Sequence, residues 1–264
     1  MDAVAIRTEL GDIGTDDGTG TRRWGVWAAV PPSVRAQRHP DGWRLTGERP
    51  WCSGAAWCTD ALVTAVADDG IRLFAVRNEA PYLLPLDGTW PAIGMAGSDS
   101  RTVRFTDAPA RPVGGVGAYV NRPGFWHGGV GVAACWFGGA LGVADTLLSA
   151  AHRKALGPHA LAHLGAVDVA LGAARAVLEA AAQQIDTSPE ADAHRLALRV
   201  RSTVERAASE VIDRVGRALG AGPLAHNGAH ARRVADLTVY LRQSHAEADL
   251  EQLGQLLVED DPRW

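Results

Sequence analysis

Apolar and polar positions follow two rhythms along this chain, and the change falls near Gly124. From Trp24 to about residue 110, apolar residues come in short runs punctuated by Pro and Gly. Ala61-Leu-Val-Thr-Ala-Val66 and Ile71-Arg-Leu-Phe-Ala-Val76 flank Asp68-Asp69-Gly70, a pattern that predicts a β-hairpin. Thr102-Val-Arg-Phe-Thr106 alternates as a half-buried strand does. Trp43-Arg-Leu-Thr-Gly-Glu-Arg-Pro-Trp51-Cys-Ser53-Gly54 reads as a strand, a turn and a second strand.

After Gly124 the spacing lengthens to three and four residues. Leu161, Leu164, Asp168, Leu171, Ala174, Leu178 and Ala181 form one stripe, apolar except for Asp168. Ser188-Pro189-Glu190 predicts a helix start, a cap followed by proline at the first helical position. Val200, Val204, Ala208, Val211, Val215 and Leu219 form a second stripe, halted at Gly220-Ala-Gly222-Pro223. A last helix or pair is expected from about Ala229 to Leu257. The expected fold class is α+β: a small antiparallel β-barrel or sandwich domain followed by a C-terminal four-helix bundle. The expected boundaries are 24–120 for the β domain and 121–264 for the bundle. Residues 1–23, with Asp16-Asp17-Gly18-Thr19-Gly20, read as a flexible lead-in.

Composition narrows the function classes. Of the 264 residues 47% are hydrophobic, enough for a substantial core, and the net charge is only −4. No basic stripe is present to neutralise phosphates, which argues against a nucleic-acid partner. Cys52, Cys58 and Cys135 have no CxxC spacing and read as reduced thiols of a cytoplasmic protein, with no metal site expected. No basic region followed by an apolar run opens the chain, so no signal peptide is expected. Gly128 to Ala144 carries no charge and contains Gly138-x-x-x-Gly142, a packing pattern of membrane helices. It is short for a span, lacks cationic anchors, and is interrupted by Asp145, so a buried bundle helix and no membrane partner are expected.

Three constellations carry candidate chemistry. Gly129-Val-Gly131-Val-Ala-Ala134 matches a loose dinucleotide pattern, but no strand precedes it, so helix packing explains it better. His159 and His163 lie four apart, with His152 before them, yet the glutamate of a zinc-protease motif is absent; these read as surface or interface histidines. Trp51 and Ser53 are two apart in a strand, which places them on one face. That pair offers a flat ring and a hydrogen-bond donor to a planar heterocycle such as an isoalloxazine. Ordinary strand and turn chemistry accounts for the same two residues.

Four stretches together resemble the acyl-CoA dehydrogenase superfamily, from about Trp24 to the C-terminus. Gly42-Trp43 through Trp51-Cys-Ser53-Gly54-Ala55 is similar to the family's flavin-stacking segment. Trp90-Pro-Ala-Ile-Gly94-Met95-Ala-Gly-Ser98-Asp-Ser100 resembles the loop ending its β domain. His152-Arg153-Lys-Ala-Leu156-Gly157 resembles the element that grips the FAD diphosphate and adenine. Arg217-Ala-Leu-Gly220-Ala-Gly222, then Arg233-Val-Ala-Asp236, resembles a glycine-rich run followed by an Arg-Asp run. The resemblance implies an FAD-dependent oxidoreductase acting on the CH–CH group of an acyl thioester such as acyl-CoA. It implies that Trp51 stacks on the flavin, that Ser53 bonds near N5, and that Arg153 pairs with the pyrophosphate. Arg217 is implied as a further cofactor-binding residue, and Gly220 and Gly222 let backbone approach the cofactor. Because the family's FAD lies at a subunit interface, a homo-oligomer, or a hetero-oligomer with a full-length homologue, is implied.

The chain also departs from the family pattern. The β domain starts almost at once, so the family's N-terminal helical domain is expected to be missing or supplied by another chain. The usual catalytic glutamate falls at Ser244, a poor base by itself, and the alternative position falls near Val132 or Ala133. His245 is the expected base, with Glu247 second. Leu156, Leu164, Ala96 and Arg217 replace the family's phenylalanine, glutamine, arginine and glutamine. Three further readings stay open: a non-catalytic subunit at an FAD interface, a flavin-dependent monooxygenase on the same fold, and a binding protein with no cofactor.

Overall fold

The computed structural model describes residues 2–12, 22–29 and 32–260. It divides into two compact units, Met1–Ala92 with Ala96–Phe125, and Ile93–Met95 with Trp126–Trp264.

The first unit is a β-barrel. Its strands are β1 (Trp24–Trp27), β2 (Arg35–His39), β3 (Gly42–Cys52), β4 (Asp60–Ala67), β5 (Gly70–Arg77), β6 (Leu83–Pro85) and β7 (Arg101–Val113). The order β4-β2-β3-β7-β5 closes through β4–β5 pairing, while β1 adds to β4 and β6 adds to β7. The predicted hairpin is β4–β5, with Val66 opposite Ile71. Its apolar runs are continuous rather than alternating because both faces are covered. Ala61, Val63 and Ala65 face the barrel interior with Phe74 and Val76. Leu62, Leu73 and Ala75 face outward, under Ala3 and Ile6 of α1 (Asp2–Glu9).

Helix α1 lies within the stretch read as a lead-in. Ile6 is fully buried, and burial of such a side chain stabilises by roughly 1.5–3 kcal/mol. Glu9 accepts from Arg122 at 2.7 Å and from the Gly124 amide at 2.9 Å, while Asp12 takes Arg7 at 2.9 Å and Arg111 at 3.0 Å. Asp16-Asp17-Gly18-Thr19-Gly20 lies outside the described residues.

The strand–turn–strand reading of Trp43–Gly54 is also corrected, since β3 is one strand through Cys52. Gly47 has φ +132° and sits at a register shift against β7, not in a turn. A Cβ there would come 3.1 Å from the Ser33 carbonyl oxygen, so glycine serves a close backbone approach. Two residues on, Arg49 is 1% exposed and donates to the Thr64 carbonyl and hydroxyl and to the Ala29 carbonyl.

A short helix, α2 (Ala118–Asn121), leads into α3 (Pro123–Arg153). The second unit continues with α4 (Pro158–Thr187), α5 (His194–Leu219), α6 (Gly222–His226), α7 (Gly228–Tyr240) and α8 (Glu247–Asp260). Val200, Val204, Ala208, Val211 and Val215 are buried as their stripe predicts. On α4 Ala174 and Ala181 of the predicted stripe are buried and Leu164, Leu171 and Leu178 pack half-buried against the core, but Val167 joins the buried line and Leu161 is left 51% exposed. That helix is apolar nearly all round, so periodicity alone does not choose its inner face. Helices α3 and α4 are both long and apolar enough to cross a membrane by length and composition, but α3 buries Trp136, Val143 and Leu147 in the bundle core.

Helix α5 begins at His194, later than the Ser188-Pro189-Glu190 signal suggests. Helix α4 runs on through Thr187, and the Asp192 carboxylate takes the His194 amide at 2.9 Å. The Gly129 pattern lies inside α3, where a Cβ at Gly131 or Gly138 would meet nothing within 4 Å. Close packing falls on Gly139, whose Cβ would come 2.9 Å from Leu237. The tripeptide Ile93–Met95 belongs to this unit: the Met95 amide donates to Asp236 at 2.6 Å.

Candidate functional site

In the first unit, the end of β3 presents Trp51. The β3–β7 register shifts between Arg49 and Cys52, and Trp51 takes φ +65°. A non-glycine residue in that region costs about 1–2 kcal/mol because Cβ crowds a carbonyl oxygen. The ring is 60% exposed and meets Trp90 edge to face at 5.5 Å. Trp51 and Ser53 are both exposed with buried Cys52 between them, as expected. Strand alternation is not the cause, because β3 ends at Cys52 and Ser53 opens a turn.

That turn is held from two sides. The Trp27 indole donates to the Ser53 carbonyl at 2.9 Å. From the loop before β7, the Ser98 carbonyl takes the Gly54 amide at 2.8 Å, and the Asp99 carboxylate takes the Ala56 amide at 2.8 Å. Ser53 Oγ lies 2.8 Å from Ser100 Oγ. Burial pushes the Cys52 thiol up to about 12, which makes it a packing residue rather than a nucleophile.

In the second unit, a cleft of about 550 Å³ opens between the C-terminal ends of α3 and α5 and the start of α6. Arg153, Lys154, His226, Thr146, Asn227 and Gly222 line it, and among the described residues no carboxylate does. Neither Arg153 nor Lys154 forms an ion pair among the described residues. Gly220 ends α5 with φ +66°, and a Cβ on Gly220 or Gly222 would meet nothing within 4 Å. The structure thus brings Arg153 and Gly222 together and places Gly220 beside them in the chain. Arg217 is not brought in: it is 63% exposed and pairs with Asp213 at 3.4 Å one turn back. Leu156 packs against the bundle core.

His245 and Glu247 stand at the start of α8 and do not line this cleft. Ser244 and His245 precede α8 and are not on a helix: Ser244 is extended and Ala246 has φ +49°. His245 Nδ1 lies 3.1 Å from Oδ1 of Asp249, whose Oδ2 accepts the His245 amide at 3.2 Å. Asp249 is 7% exposed, and Arg201 stands 4.0 Å from it while donating to the Gln243 carbonyl at 2.8 Å. The guanidinium sits over the buried Trp136 ring at 4.7 Å. Glu247 is exposed, without such support.

Sequence reasoning did not single out Asp249, Lys154 or His226. His245 precedes α8 and Ala246 has φ +49°, so its contact with Asp249 is not a helical i, i+4 pair that spacing alone announces. Lys154 and His226 gain meaning only when α3 and α6 are brought together.

No family model matches the sequence, and no curated protein does. Solved structures do match. A probable acyl-CoA dehydrogenase from Mycobacterium abscessus superposes with a TM-score of 0.79 at 14% identity, over 89% of this chain and 69% of that one. Dibenzothiophene monooxygenase from Paenibacillus sp. A11-2 gives 0.76 at 19% identity, over 98% and 78%. The complex of the Paenibacillus protein with FMN and indole gives 0.74 at 20% identity, over 90% and 70%. The chain has the acyl-CoA dehydrogenase fold, a fold it shares with a monooxygenase.

Proposed function

We propose that this protein is an FAD-dependent oxidoreductase acting on the CH–CH group of an acyl thioester. The observation that carries the reading is the cationic cleft around Arg153. A diphosphate is a compact dianion, and a cleft with Arg153, Lys154 and His226, no carboxylate and open glycine backbone suits it. The second support is Trp51, an exposed indole held in a strained backbone beside a hydroxyl. Strain of this kind concentrates at sites that use the side chain. The FMN complex of a protein with this fold supports a flavin as the ligand class.

In this reading Arg153 and Lys154 hold the diphosphate, Trp51 offers a flat face to the ring system, and Ser53 offers its hydroxyl. The family resemblance implies a flavin shared at a subunit interface, so the cleft would take the diphosphate of a second copy's flavin. When bound, the flavin supplies the two-electron acceptor that the oxidation requires. His245 takes the α-proton of the thioester. Asp249 accepts from Nδ1, which leaves the Nε2 lone pair as the base.

Two measurements test this reading. The purified chain is titrated with FAD and followed by its visible spectrum, and substrate reduction of the flavin is then followed with an acyl-CoA. His245→Ala should abolish reduction while FAD stays bound. Unchanged reduction in that variant removes His245 from the mechanism, and a colourless protein at saturating FAD rejects the flavin.

A second reading, a flavin monooxygenase, is favoured by the likeness to dibenzothiophene monooxygenase. Oxygen consumption by the reduced holoprotein without an acyl-CoA requirement would select it.

A further inference from the structure

The flavin reading leaves one feature of the first unit without a role, a file of three serine hydroxyls. Ser53 Oγ lies 2.8 Å from Ser100 Oγ, and Ser100 Oγ lies 2.8 Å from Ser98 Oγ. Ser100 in the middle is 7% exposed, so bulk water is largely kept from its hydroxyl. The file is not needed to hold the two segments together. Backbone groups already do so, through the Gly54 amide to the Ser98 carbonyl at 2.8 Å and the Ala55 amide to the Asp99 carbonyl at 3.2 Å. The Asp99 carboxylate adds its bond to the Ala56 amide.

A hydroxyl carries one proton and two lone pairs, so a file of three has two concerted orientations. In one, Ser98 donates to Ser100 and Ser100 to Ser53, and the Ser53 proton is free to point outward. In the other, Ser53 donates to Ser100 and Ser100 to Ser98, and Ser53 shows only a lone pair outward. Ser100 is bonded on both sides in either orientation. Hydrogen bonds in such a chain also polarise one another, which strengthens the terminal bond in both senses.

We propose that Ser100 is a positioning residue that lets Ser53 act as donor or acceptor toward one ring nitrogen of a bound flavin. This rests on the flavin reading above. The flavin N5 atom accepts a hydrogen bond when oxidised and donates one when reduced, so a partner fixed in one sense serves only one redox form. The file serves both because turning its three hydroxyl rotors reverses the outward sense of Ser53. No atom moves further than a rotor turn, and no proton leaves the file.

The test is a double-mutant cycle read by flavin affinity, not by turnover. FAD is titrated into the full chain, oxidised and then reduced with dithionite under anaerobic conditions. Wild type, Ser100→Ala, Ser53→Ala, the double variant and Ser100→Thr are compared by fluorescence and visible absorbance. Ser100→Ala should weaken both redox forms about fivefold, the worth of one hydrogen bond. It should add nothing in the Ser53→Ala background, and Ser100→Thr should restore binding. A loss that persists when Ser53 is already alanine makes Ser100 a structural residue and overturns the proposal. A loss confined to one redox form overturns the two-way role. If wild type binds no FAD, the flavin reading itself fails, and that is seen before any variant is compared.

Discussion

Asp249 holds His245 twice: one carboxylate oxygen faces the imidazole Nδ1 at 3.1 Å and the other takes the His245 amide at 3.2 Å. The carboxylate is buried and anchored by Arg201, so it fixes the tautomer of an otherwise exposed ring. In Asp249→Asn the amide nitrogen donates to Nδ1 and drives the proton to Nε2, where it blocks proton acceptance. Acyl-CoA-driven flavin reduction should fall roughly tenfold to a hundredfold, toward the loss of a general base, with FAD affinity unchanged. Rapid-mixing absorbance at the flavin band measures it. An unaltered rate would mean that the pair only caps α8.

Arg153 and Arg217 should part company. Removing a charge-assisted bond to phosphate costs roughly 1.5–3 kcal/mol, so Arg153→Ala should weaken FAD binding at least about tenfold. Arg217 lies outside the cleft and pairs with Asp213 on the surface, and Arg217→Ala should change affinity less than about twofold. Equal losses in the two variants would mean that the cleft is not the diphosphate site.

Gly94 packs where no side chain fits. A Cβ there would stand 2.2 Å from the Ala235 carbonyl oxygen. Gly94→Ala should destabilise by about 1–3 kcal/mol in urea unfolding, as overpacking against backbone does. Gly97→Ala, where a Cβ meets nothing within 4 Å, should stay within about 0.5 kcal/mol of wild type.

Stability should depend on pH through His230. Burial, aided by the Arg233 guanidinium, holds its imidazole below the ordinary value of 6.5. The unfolded chain therefore binds this proton at a higher pH than the folded one does. Stability is retained above 6.5 and falls as pH drops from there toward the folded value. His230→Gln should remove this component, so the gap in denaturation midpoint between wild type and variant should narrow as the solution is acidified. A gap that is constant or widens would show that another group carries the dependence.

The hairpin at Asp68-Asp69-Gly70, the alternation of β7 and the stripe of α5 were legible because each depends on residues close in sequence. Gly47 was not, since its reason is the Ser33 carbonyl, brought near only by barrel closure. On α4 the stripe found Ala174 and Ala181 but not the edge of the inner face, because Leu161, Val169 and Val167 are all apolar, and only packing separates the buried Val167 from the exposed others. The lead-in reading missed α1 because eight residues with little amphipathic pattern fold against β4 and β5 rather than by themselves. At the candidate site, the Trp51 and Ser53 pair was legible from its spacing in the chain, whereas Arg153 and Gly222 were found through resemblance. The Ser100 hydroxyl and the Asp249 carboxylate depend on contacts that only the fold supplies.

Trp51 sets the interests of the folded chain against those of its ring. Its left-handed backbone is one that glycine adopts without penalty, so Trp51→Gly should raise the melting temperature while removing the exposed indole. A library randomised at this codon and screened only for heat resistance should drift to glycine or asparagine. The same library sorted for yellow colour should return an aromatic residue. The position thus offers a way to read, from selection outcomes alone, what the ring is kept for.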